Sequence, residues 1–343
     1  MKNNPLKITG IALFTSLIMS TNLYAAPTEL TVYTALEVEQ LGALKSEFEK
    51  QNPDIEIKWI RDSTGVITAK LLAEKNNPKA DVIWGVAATS LLVLDQQNML
   101  AGYAPKGLEK LDAKFIDPQN PPHWIGMDAS LGTVCYNTIE GKKENIPAPK
   151  SWQDLASPIY KDKIIMPNPA SSGTGFLNVA GWLQSMGEKQ GWEYMDKLHN
   201  NIERYTHSGS APCKLVASGE AVVGISFDFP TVKLQQNGAP IDVIFPEDGS
   251  GWDMEAAAIV NNTPHQAAAE KLMDFAVTET ANKLYNQSFA VLAIPSVAKI
   301  PDAYPKDLTR QMNKNDFNWM AQHRERILTD WTKRYNEKSE AKK

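Results

Sequence analysis

Residues 164–175 read IIMPNPASSGTG, a short apolar strand followed by a loop of small and hydroxyl-bearing residues that opens a helix. Ser171, Ser172 and Thr174 supply hydroxyl groups, and the neighbouring glycines let backbone N–H groups approach a ligand. The start of the helix adds partial positive charge, which favours an anion. The segment predicts an anion-binding loop that needs neither Lys nor Arg. The alternative is an ordinary helix cap formed by Ser or Thr.

Polar residues also follow other predicted strands. Strands at residues 30–33, 55–60 and 81–84 alternate with helices at 39–49 and 66–74. Such alternation is typical of a parallel sheet with crossover helices, in which ligands bind beyond the carboxyl ends of the strands. Six segments that directly follow predicted strands are rich in small or hydroxyl-bearing residues. They are 34–37, 61–65, 85–90, 168–174, 207–210 and 226–229. Each alone has an alternative as a helix cap, but together they predict a polar cleft.

The first 25 residues predict an export signal. Lys2 and Lys7 precede an apolar run over residues 8–19, and the small residues Ala25 and Ala26 follow it. The run is shorter than the ~20 residues that a membrane-spanning helix needs. We expect cleavage after Ala25 and release into the periplasm, without a lipid anchor because no Cys directly follows the run.

The composition indicates a globular chain. Of its 343 residues 43% are hydrophobic and 22% charged, and the net charge is −5. This acidic balance argues against nucleic acid as a partner, and the length suggests two domains. We expect a monomer.

Cys135 and Cys213 are enough for one disulfide in an oxidising compartment, the alternative being two buried free thiols.

A Pro-rich passage at residues 117–122 predicts a boundary, after which residues 125–128 cross to a second unit whose first strand includes residues 134–136. Residues 249–255 are expected to form the return crossing. The predicted organisation is a signal peptide at 1–25, lobe 1 at 26–128 and 255–300, lobe 2 at 129–254, and a helical segment at 301–343 that packs on a lobe.

Several strings, in their order and spacing, resemble solute-binding proteins of ABC importers in the two-lobed type II class, which includes ferric-ion binders. VYTALE, RDSTG, ITAKLLAEK, DVIWG, NPASSGTGF, HSGS and GWD resemble, more narrowly, the 2-aminoethylphosphonate-binding subgroup. The resemblance covers the whole mature length. It implies an α/β fold of two lobes, each a mostly parallel sheet flanked by helices, with a ligand cleft between them. It also implies a membrane permease as partner, no cofactor and no catalysis.

Related binders carry phosphate sugars, thiamine, polyamines or metal, so another small anion, a phosphate ester or ferric iron stays as an alternative ligand. Ferric binders of this class use a His or Glu after the first strand, an acid after the third, and a pair of tyrosines. The corresponding positions here are Glu37, Val86 and the pair Asp228 and Phe229. Most of the oxygen ligands that a hard cation requires are therefore missing, which disfavours iron.

A phosphonate that carries an amine needs donors for its anion and an acid or aromatic face for its ammonium group. The predicted phosphonate-binding residues are Ser63, Thr64, Ser171, Ser172, Gly173, Thr174, Ser208 and Ser210. The predicted amine-binding residues are Glu37, Asp228 and Asp253, and Asp128 is a secondary candidate. Candidate aromatic walls are Trp84, Phe227, Phe229 and Trp252, and Arg61 is the one basic residue in a candidate loop. Ligand capture is expected to close the lobes about a hinge.

A periplasmic hydrolase is the contrasting hypothesis. It would use Ser171 or Ser172 as the nucleophile and His207 as the base. Neither serine lies in a G-x-S-x-G turn, and no metal or dinucleotide motif is present in the sequence. The sequence therefore favours a binding protein.

Overall fold

The computed structural model describes residues 26–341. The predicted signal peptide at residues 1–25 lies outside this range. Between residues 26 and 341, each helix is too short or too polar to cross a membrane.

Eleven strands are present in the described part of the chain. They are β1 (Thr28–Thr34), β2 (Ile55–Arg61), β3 (Val82–Ala87), β4 (Leu100–Ala101), β5 (Ile125–Asn137), β6 (Ile164–Pro167), β7 (Ile202–Thr206), β8 (Val223–Phe227), β9 (Ile241–Ile244), β10 (Trp252–Val260) and β11 (Val291–Leu292).

Eleven α-helices accompany them in residues 26–341. They are α1 (Val38–Gln51), α2 (Thr64–Ala73), α3 (Ala88–Gln96), α4 (Thr138–Glu144), α5 (Gly173–Met186), α6 (Glu188–His199), α7 (Ala211–Ala217), α8 (Asp228–Gln236), α9 (Gln266–Ala276), α10 (Glu279–Tyr285) and α11 (Phe317–Tyr335).

The strands form two half-sheets that share β5. In lobe 1 the order is β2-β1-β3-β10-β5, with β1, β2 and β3 parallel and β10 antiparallel to its neighbours. In lobe 2 the order is β5-β8-β6-β7, with β6, β7 and β8 parallel and β5 antiparallel to β8. The chain therefore forms two α/β lobes, as the sequence predicted, but each lobe has a mixed sheet in which three parallel strands are joined by antiparallel neighbours.

Hydrophobic patterning distinguishes central strands from edge strands. In β3 the side chains of Val82, Ile83 and Trp84 are all buried, because helices cover both faces of a parallel sheet. In β2, at the edge of lobe 1, buried Ile55 and Ile57 alternate with exposed residues. Lobe 2 has its own core, so the two lobes are packed separately and meet along their rims.

Strand β5 is the main connection between the lobes, and it differs from the prediction. The sequence predicts a crossing at residues 125–128 and a separate strand around 134–136, because polar residues interrupt the apolar pattern. The structure has one continuous strand of 13 residues, and all of them are buried. Its polar members Asp128, Ser130 and Thr133 lie at the waist between the lobes, where the strand leaves one sheet and enters the other.

The C-terminal helix α11 holds both lobes. Met320, Ile327 and Trp331 are part of the core of lobe 2, while the same helix also packs against α3 of lobe 1. Within lobe 2, a disulfide joins Cys135 on β5 to Cys213 on α7. The residue limits that the sequence analysis assigned to the lobes stay a prediction.

Candidate functional site

The rims of the two lobes touch where the start of α2 meets the loop before α5. The backbone N–H of Gly65 in lobe 1 donates a hydrogen bond of 2.8 Å to the carbonyl oxygen of Ser171 in lobe 2. A Cβ atom on Gly173 would lie 3.0 Å from the Cβ of Thr64. Two glycines therefore permit the close approach, which leaves a cleft enclosed between the rims.

The cleft contains about 570 Å³ that is not filled by atoms, part of it open to solvent. The residues that line it are Ala35, Glu37, Arg61, Ser63, Thr64, Gly85, Ala87, Ser130, Ser172, Gly173, Thr174, Leu177, Ser208, Gly209, Phe227, Asp253, Met254 and Glu255. Most are polar or small, so the cleft suits a compact polar ligand.

Sheet order explains why these residues meet. The parallel strands β2, β1 and β3 end at the same edge of the lobe 1 sheet, and the residues after them face the cleft. Thr64 follows β2, Glu37 follows β1, and Ala87 ends β3. Next to β3 lies β10, where Glu255 pairs in register with Ala87. The row therefore runs from hydroxyl groups at β2 to carboxyl groups at β10.

The N-termini of two helices point at the end of the cleft where the hydroxyl groups of Ser63, Thr64, Ser172 and Thr174 lie. Ser63 is the N-cap of α2 in lobe 1, and Ser172 is the N-cap of α5 in lobe 2. The Ser172 Oγ accepts a hydrogen bond of 3.3 Å from the Gly175 N–H. Together with Thr64 and Thr174, these residues supply hydroxyl groups and the positive ends of two helices. This end of the cleft, called the anion end below, has the donors that an anion requires.

Glu37 is an acid of the cleft that protein cations already neutralise. Its Oε2 atom lies 3.6 Å from Nη2 of Arg61 and 3.4 Å from Nζ of Lys214. Arg61 also donates from Nε to the carbonyl oxygen of Leu36, which holds the guanidinium in place. Because Lys214 belongs to lobe 2, this ion pair crosses between the lobes.

Asp253 is the second acid of the cleft, and its oxygens have partners too. Its Oδ2 atom accepts a hydrogen bond of 2.6 Å from the Thr89 hydroxyl, and its Oδ1 accepts one of 2.8 Å from the Met254 N–H. Burial raises the pKa of Asp253 to about 6, while the hydrogen bonds and the charge of Arg324 act in the opposite direction.

Glu255 is the third acid of the cleft, and it differs from the other two. Its Oε2 atom is buried and accepts no hydrogen bond from residues 26–341. Burial raises the pKa of Glu255 well above its ordinary value, and the negative charges of Glu37 and Asp228 raise it further. Of the three cleft acids, Glu255 is therefore the one best suited to accept a cationic group from a ligand.

The structure brings most predicted site residues to the cleft but not all. Those that line it are Glu37, Ser63, Thr64, Ser172, Gly173, Thr174, Ser208 and Asp253. Ser171 faces elsewhere, since its hydroxyl donates to the carbonyl oxygen of His207 at 2.9 Å. Ser210 is buried, and its Oγ accepts from Lys214. Asp228 is buried beside β5, where its Oδ1 accepts a hydrogen bond from the Leu131 N–H.

Two polar lining residues, Glu255 and Ser130, were given no binding role from the sequence. Glu255 was within reach of sequence reasoning, because alternate residues of a strand share a face and Asp253 lies two positions earlier. Ser130 gave no such signal, since the waist of β5 was not recognised as part of a single strand. Of the four candidate aromatic walls, Phe227 lines the cleft.

Two alternative chemistries can be compared with the geometry. Among residues 26–341, no group of three or more His, Cys, Asp or Glu side chains is placed to hold a metal ion. For a hydrolase, a serine would have to donate to the His207 ring. The ring Nε2 instead lies 3.3 Å from Oδ1 of Asp62, and Ser171 bonds the backbone of His207 rather than its ring.

Three curated relatives have informative names. A probable ABC transporter periplasmic-binding protein of Sinorhizobium fredii is 24% identical over 93% of this chain and 89% of its own length. A gamma-aminobutyric acid-binding protein of Pseudomonas aeruginosa is 28% identical over 65% of this chain and 66% of its own. A proposed 2-aminoethylphosphonate-binding periplasmic protein of Salmonella typhimurium is 26% identical over 66% of both chains.

Solved structures confirm the predicted type II class. The periplasmic binding protein AfuA of Actinobacillus pleuropneumoniae, with exogenous fructose-6-phosphate bound, has a TM-score of 0.84 and 27% identity, covering 90% of this chain and 99% of that one. Iron-bound HitA of Pseudomonas aeruginosa has a TM-score of 0.75 and 19% identity, covering 89% and 99%, and so shares the fold. A family model for bacterial extracellular solute-binding proteins matches residues 77–324. The chain belongs to this family.

Proposed function

We propose that this solute-binding component of an ABC transporter captures 2-aminoethylphosphonate between its lobes and delivers it to a membrane permease. In this proposal it works in the periplasm as a monomer and returns its ligand chemically unchanged.

The observation that carries the proposal is the polarity of one cleft. Hydroxyl groups and two helix N-termini meet at one end, around Ser63 and Ser172. At the other end lies Glu255, the cleft acid with an unpartnered buried oxygen among the described residues. A short molecule with an anion at one end and an ammonium at the other matches both ends.

The anion would be held by charge-assisted hydrogen bonds from hydroxyl and backbone donors, which are about twice as strong as neutral ones. Glu255 would give the ammonium group its counter-charge, without which burial of the amine would be very costly. A ligand that lacks either group would leave a buried polar atom of the cleft unpaired. That penalty is the source of specificity in this proposal.

Two named relatives support a ligand of this class. Gamma-aminobutyric acid and 2-aminoethylphosphonate both join a protonated amine to an anionic group through a short carbon chain. The hydroxyl groups and helix N-termini at the anion end favour the phosphonate, since a phosphonate has one more oxygen to accept hydrogen bonds than a carboxylate.

Closure would stabilise the ligand complex because both lobes contribute contacts. Thr64 belongs to lobe 1, while Thr174 and Ser208 belong to lobe 2, so the complete set of donors exists only when the rims meet. A ligand that bridges them favours the closed form through its differential contacts, and the permease would read that form.

A hexose phosphate is a second candidate. AfuA, which is 27% identical to this chain, holds fructose-6-phosphate. Its phosphate would use the same anion end, and sugar hydroxyl groups would donate to Glu255 and Asp253. The two ligands differ in charge at the acidic end, because a sugar brings no cation.

Isothermal titration calorimetry of the purified mature protein separates these candidates. The panel is 2-aminoethylphosphonate, gamma-aminobutyric acid, fructose-6-phosphate, inorganic phosphate and ferric citrate. We expect 2-aminoethylphosphonate to bind at least about tenfold more tightly than every other member. Tighter binding of fructose-6-phosphate would overturn the aminophosphonate proposal in favour of the second candidate. Release of inorganic phosphate from the ligand during incubation would overturn the assignment as a carrier.

A further inference from the structure

Behind Glu255 lies a second acid that the proposed function does not use. Asp128 on β5 is the cross-strand partner of Glu255 on β10. Its side chain is fully buried, and both of its carboxyl oxygens lack a hydrogen-bond partner within residues 26–341. Residues that lie directly opposite each other on two paired strands direct their side chains to the same face of the sheet. Two carboxyl groups therefore lie next to each other, one in the cleft and one behind it.

The surroundings of this pair are acidic. Glu37 from the end of β1 and Asp228 from the start of α8 raise the pKa of Glu255, and Tyr285 of α10 lies close to both members of the pair. The nearby cations are engaged elsewhere. Arg61 and Lys214 pair with Glu37, and the charge of Arg324 acts on Asp253.

Two neighbouring carboxylates without a counter-ion cannot both stay ionised in a buried place, since each charge disfavours the other and burial disfavours both. At least one proton must reside on the pair. Burial and the charge of Glu255 accordingly raise the pKa of Asp128 well above its ordinary value.

We propose that Asp128 and Glu255 share a proton in the ligand-free protein, and that the ammonium group of the ligand replaces it, so that binding releases a proton to solvent. The exchange rests on the proposed function. It keeps the charge balanced, because one positive charge enters the acidic end as one proton leaves. A ligand whose acidic-end group is a neutral hydroxyl supplies no such charge, so the pair discriminates for amine-bearing anions.

Calorimetry in two buffers of different ionisation enthalpy, PIPES and Tris at pH 7.0, counts the protons exchanged. We expect 2-aminoethylphosphonate to release about one more proton than ethylphosphonate, which has the same anion without the amine. Each value is first corrected for the proton that the free phosphonate carries at pH 7.0, measured by titrating each ligand alone, because the ammonium group makes the phosphonate of 2-aminoethylphosphonate a stronger acid than that of ethylphosphonate. Equal proton numbers for the two ligands would overturn the exchange.

Three variants locate the proton. Glu255→Gln should abolish the extra proton and weaken 2-aminoethylphosphonate at least about tenfold, while changing ethylphosphonate affinity less than about twofold. Asp128→Asn should also reduce the extra proton but retain 2-aminoethylphosphonate affinity, because Glu255 then ionises before the ligand arrives. Glu193→Gln, at an exposed site on α6, is the matched control and should behave as the wild type. An unchanged proton number in Glu255→Gln would overturn the assignment.

Infrared spectroscopy of the ligand-free protein tests the shared proton without any ligand. At pH 7.0 the wild type should have the carbonyl stretch of a protonated carboxyl group, and Asp128→Asn and Glu255→Gln should each diminish it. If that band is insensitive to both substitutions, the acid pair is wrong. If the band responds but 2-aminoethylphosphonate does not bind, the acid pair stands, whereas the proposed function and the exchange by its amine both fail.

Discussion

Gly65 and Ser171 join the two lobes directly, through a hydrogen bond of 2.8 Å from the amide of the first to the carbonyl oxygen of the second. The contact lies at the start of α2 on one side and in the loop before α5 on the other. Both helices also provide the N-termini that face the anion end of the cleft. In the proposed function the same two segments close the rims and bind the ligand, so that closure would be coupled to anion capture.

Gly65→Ala tests this coupling. A Cβ atom at this position would overlap the carbonyl oxygen of Ala170 and lie 2.8 Å from that of Ser171, so the rims must separate. We expect ligand affinity to fall at least about tenfold, or ~1.4 kcal/mol. Gly42→Ala on α1 is the control, since nothing lies within 4 Å of its added carbon. Calorimetry measures both, and wild-type affinity in Gly65→Ala would mean that the bound form does not need this contact.

Ser172→Ala should lower both stability and affinity. Loss of the N-cap costs about 1 kcal/mol of folding stability, and loss of the hydroxyl from the anion end should weaken a phosphonate by about tenfold or more. Thr278→Ala removes a comparable cap at the start of α10, where Thr278 accepts from the Ala281 N–H far from the cleft. Thermal melts and titrations should show similar stability losses but an affinity loss only for Ser172→Ala. Equal affinities would contradict the anion assignment.

Lys214→Met removes the ion pair that links lobe 2 to Glu37. The Lys214 side chain is half exposed, so the pair contributes little, and we expect a loss of affinity of about two- to fivefold at low salt. The difference should disappear near 0.5 M NaCl, because salt screens exposed charges. Lys189→Met removes a pair that lies within α6 and should leave affinity unchanged. A loss that persists at high salt would show that Lys214 acts by something other than charge.

The buried carboxyl group of Asp228 should make the stability of the protein depend on pH. Burial raises its pKa to about 7. The unfolded chain loses this proton near pH 4, whereas the folded protein keeps it until about pH 7, so the folded state binds more protons between these values. The contribution of Asp228 to the free energy of unfolding therefore falls as the pH rises from about 4 to 7.

Asp228→Asn should abolish that contribution. The amide keeps an oxygen that can accept from the Leu131 N–H but carries no charge. Urea unfolding should show the variant more stable than the wild type by on the order of 4 kcal/mol at pH 8, and nearly equal to it at pH 4. Asp242→Asn, at an exposed position of β9, should show no such trend. If the difference in stability between Asp228→Asn and the wild type is the same at pH 4 and pH 8, the buried-acid argument is wrong.

The Cys135–Cys213 disulfide is expected to stabilise lobe 2 without taking part in binding. It closes a loop with a sequence separation of 78 and joins β5 to α7 inside one lobe. Replacing both residues with Ala should cost about 2–5 kcal/mol of stability, with ligand affinity at 25 °C nearly unchanged. Guanidinium unfolding with and without reductant measures the effect, and the double variant should be insensitive to reductant. Equal midpoints for reduced and oxidised wild type would contradict the expectation.

Local patterning was enough to predict the elements around the cleft. The strand expected at residues 30–33 is β1 (Thr28–Thr34), and the helix expected at 39–49 is α1 (Val38–Gln51). These elements follow from hydrophobic periodicity and short-range chain geometry. The polar residues after successive strands also predicted the cleft, because parallel strands end at the same edge of a sheet. The continuity of β5 was missed, since its buried polar residues resemble a break in the strand when neighbours are unknown.

The sequence by itself determined the two-lobed α/β class, the chemistry of the strand ends and the pair of cysteines, because each depends on residue type and nearby residues. The tertiary structure decided which of those side chains line the cleft. Ser171 and Ser172 are neighbours in the chain, yet Ser172 lines the cleft and Ser171 bonds to the backbone of His207. Glu37 is paired with Lys214, which lies 177 positions away, whereas Glu255 keeps a buried oxygen without a partner in residues 26–341. Such partnerships depend on strand register and on contact between the lobes, which no local pattern encodes.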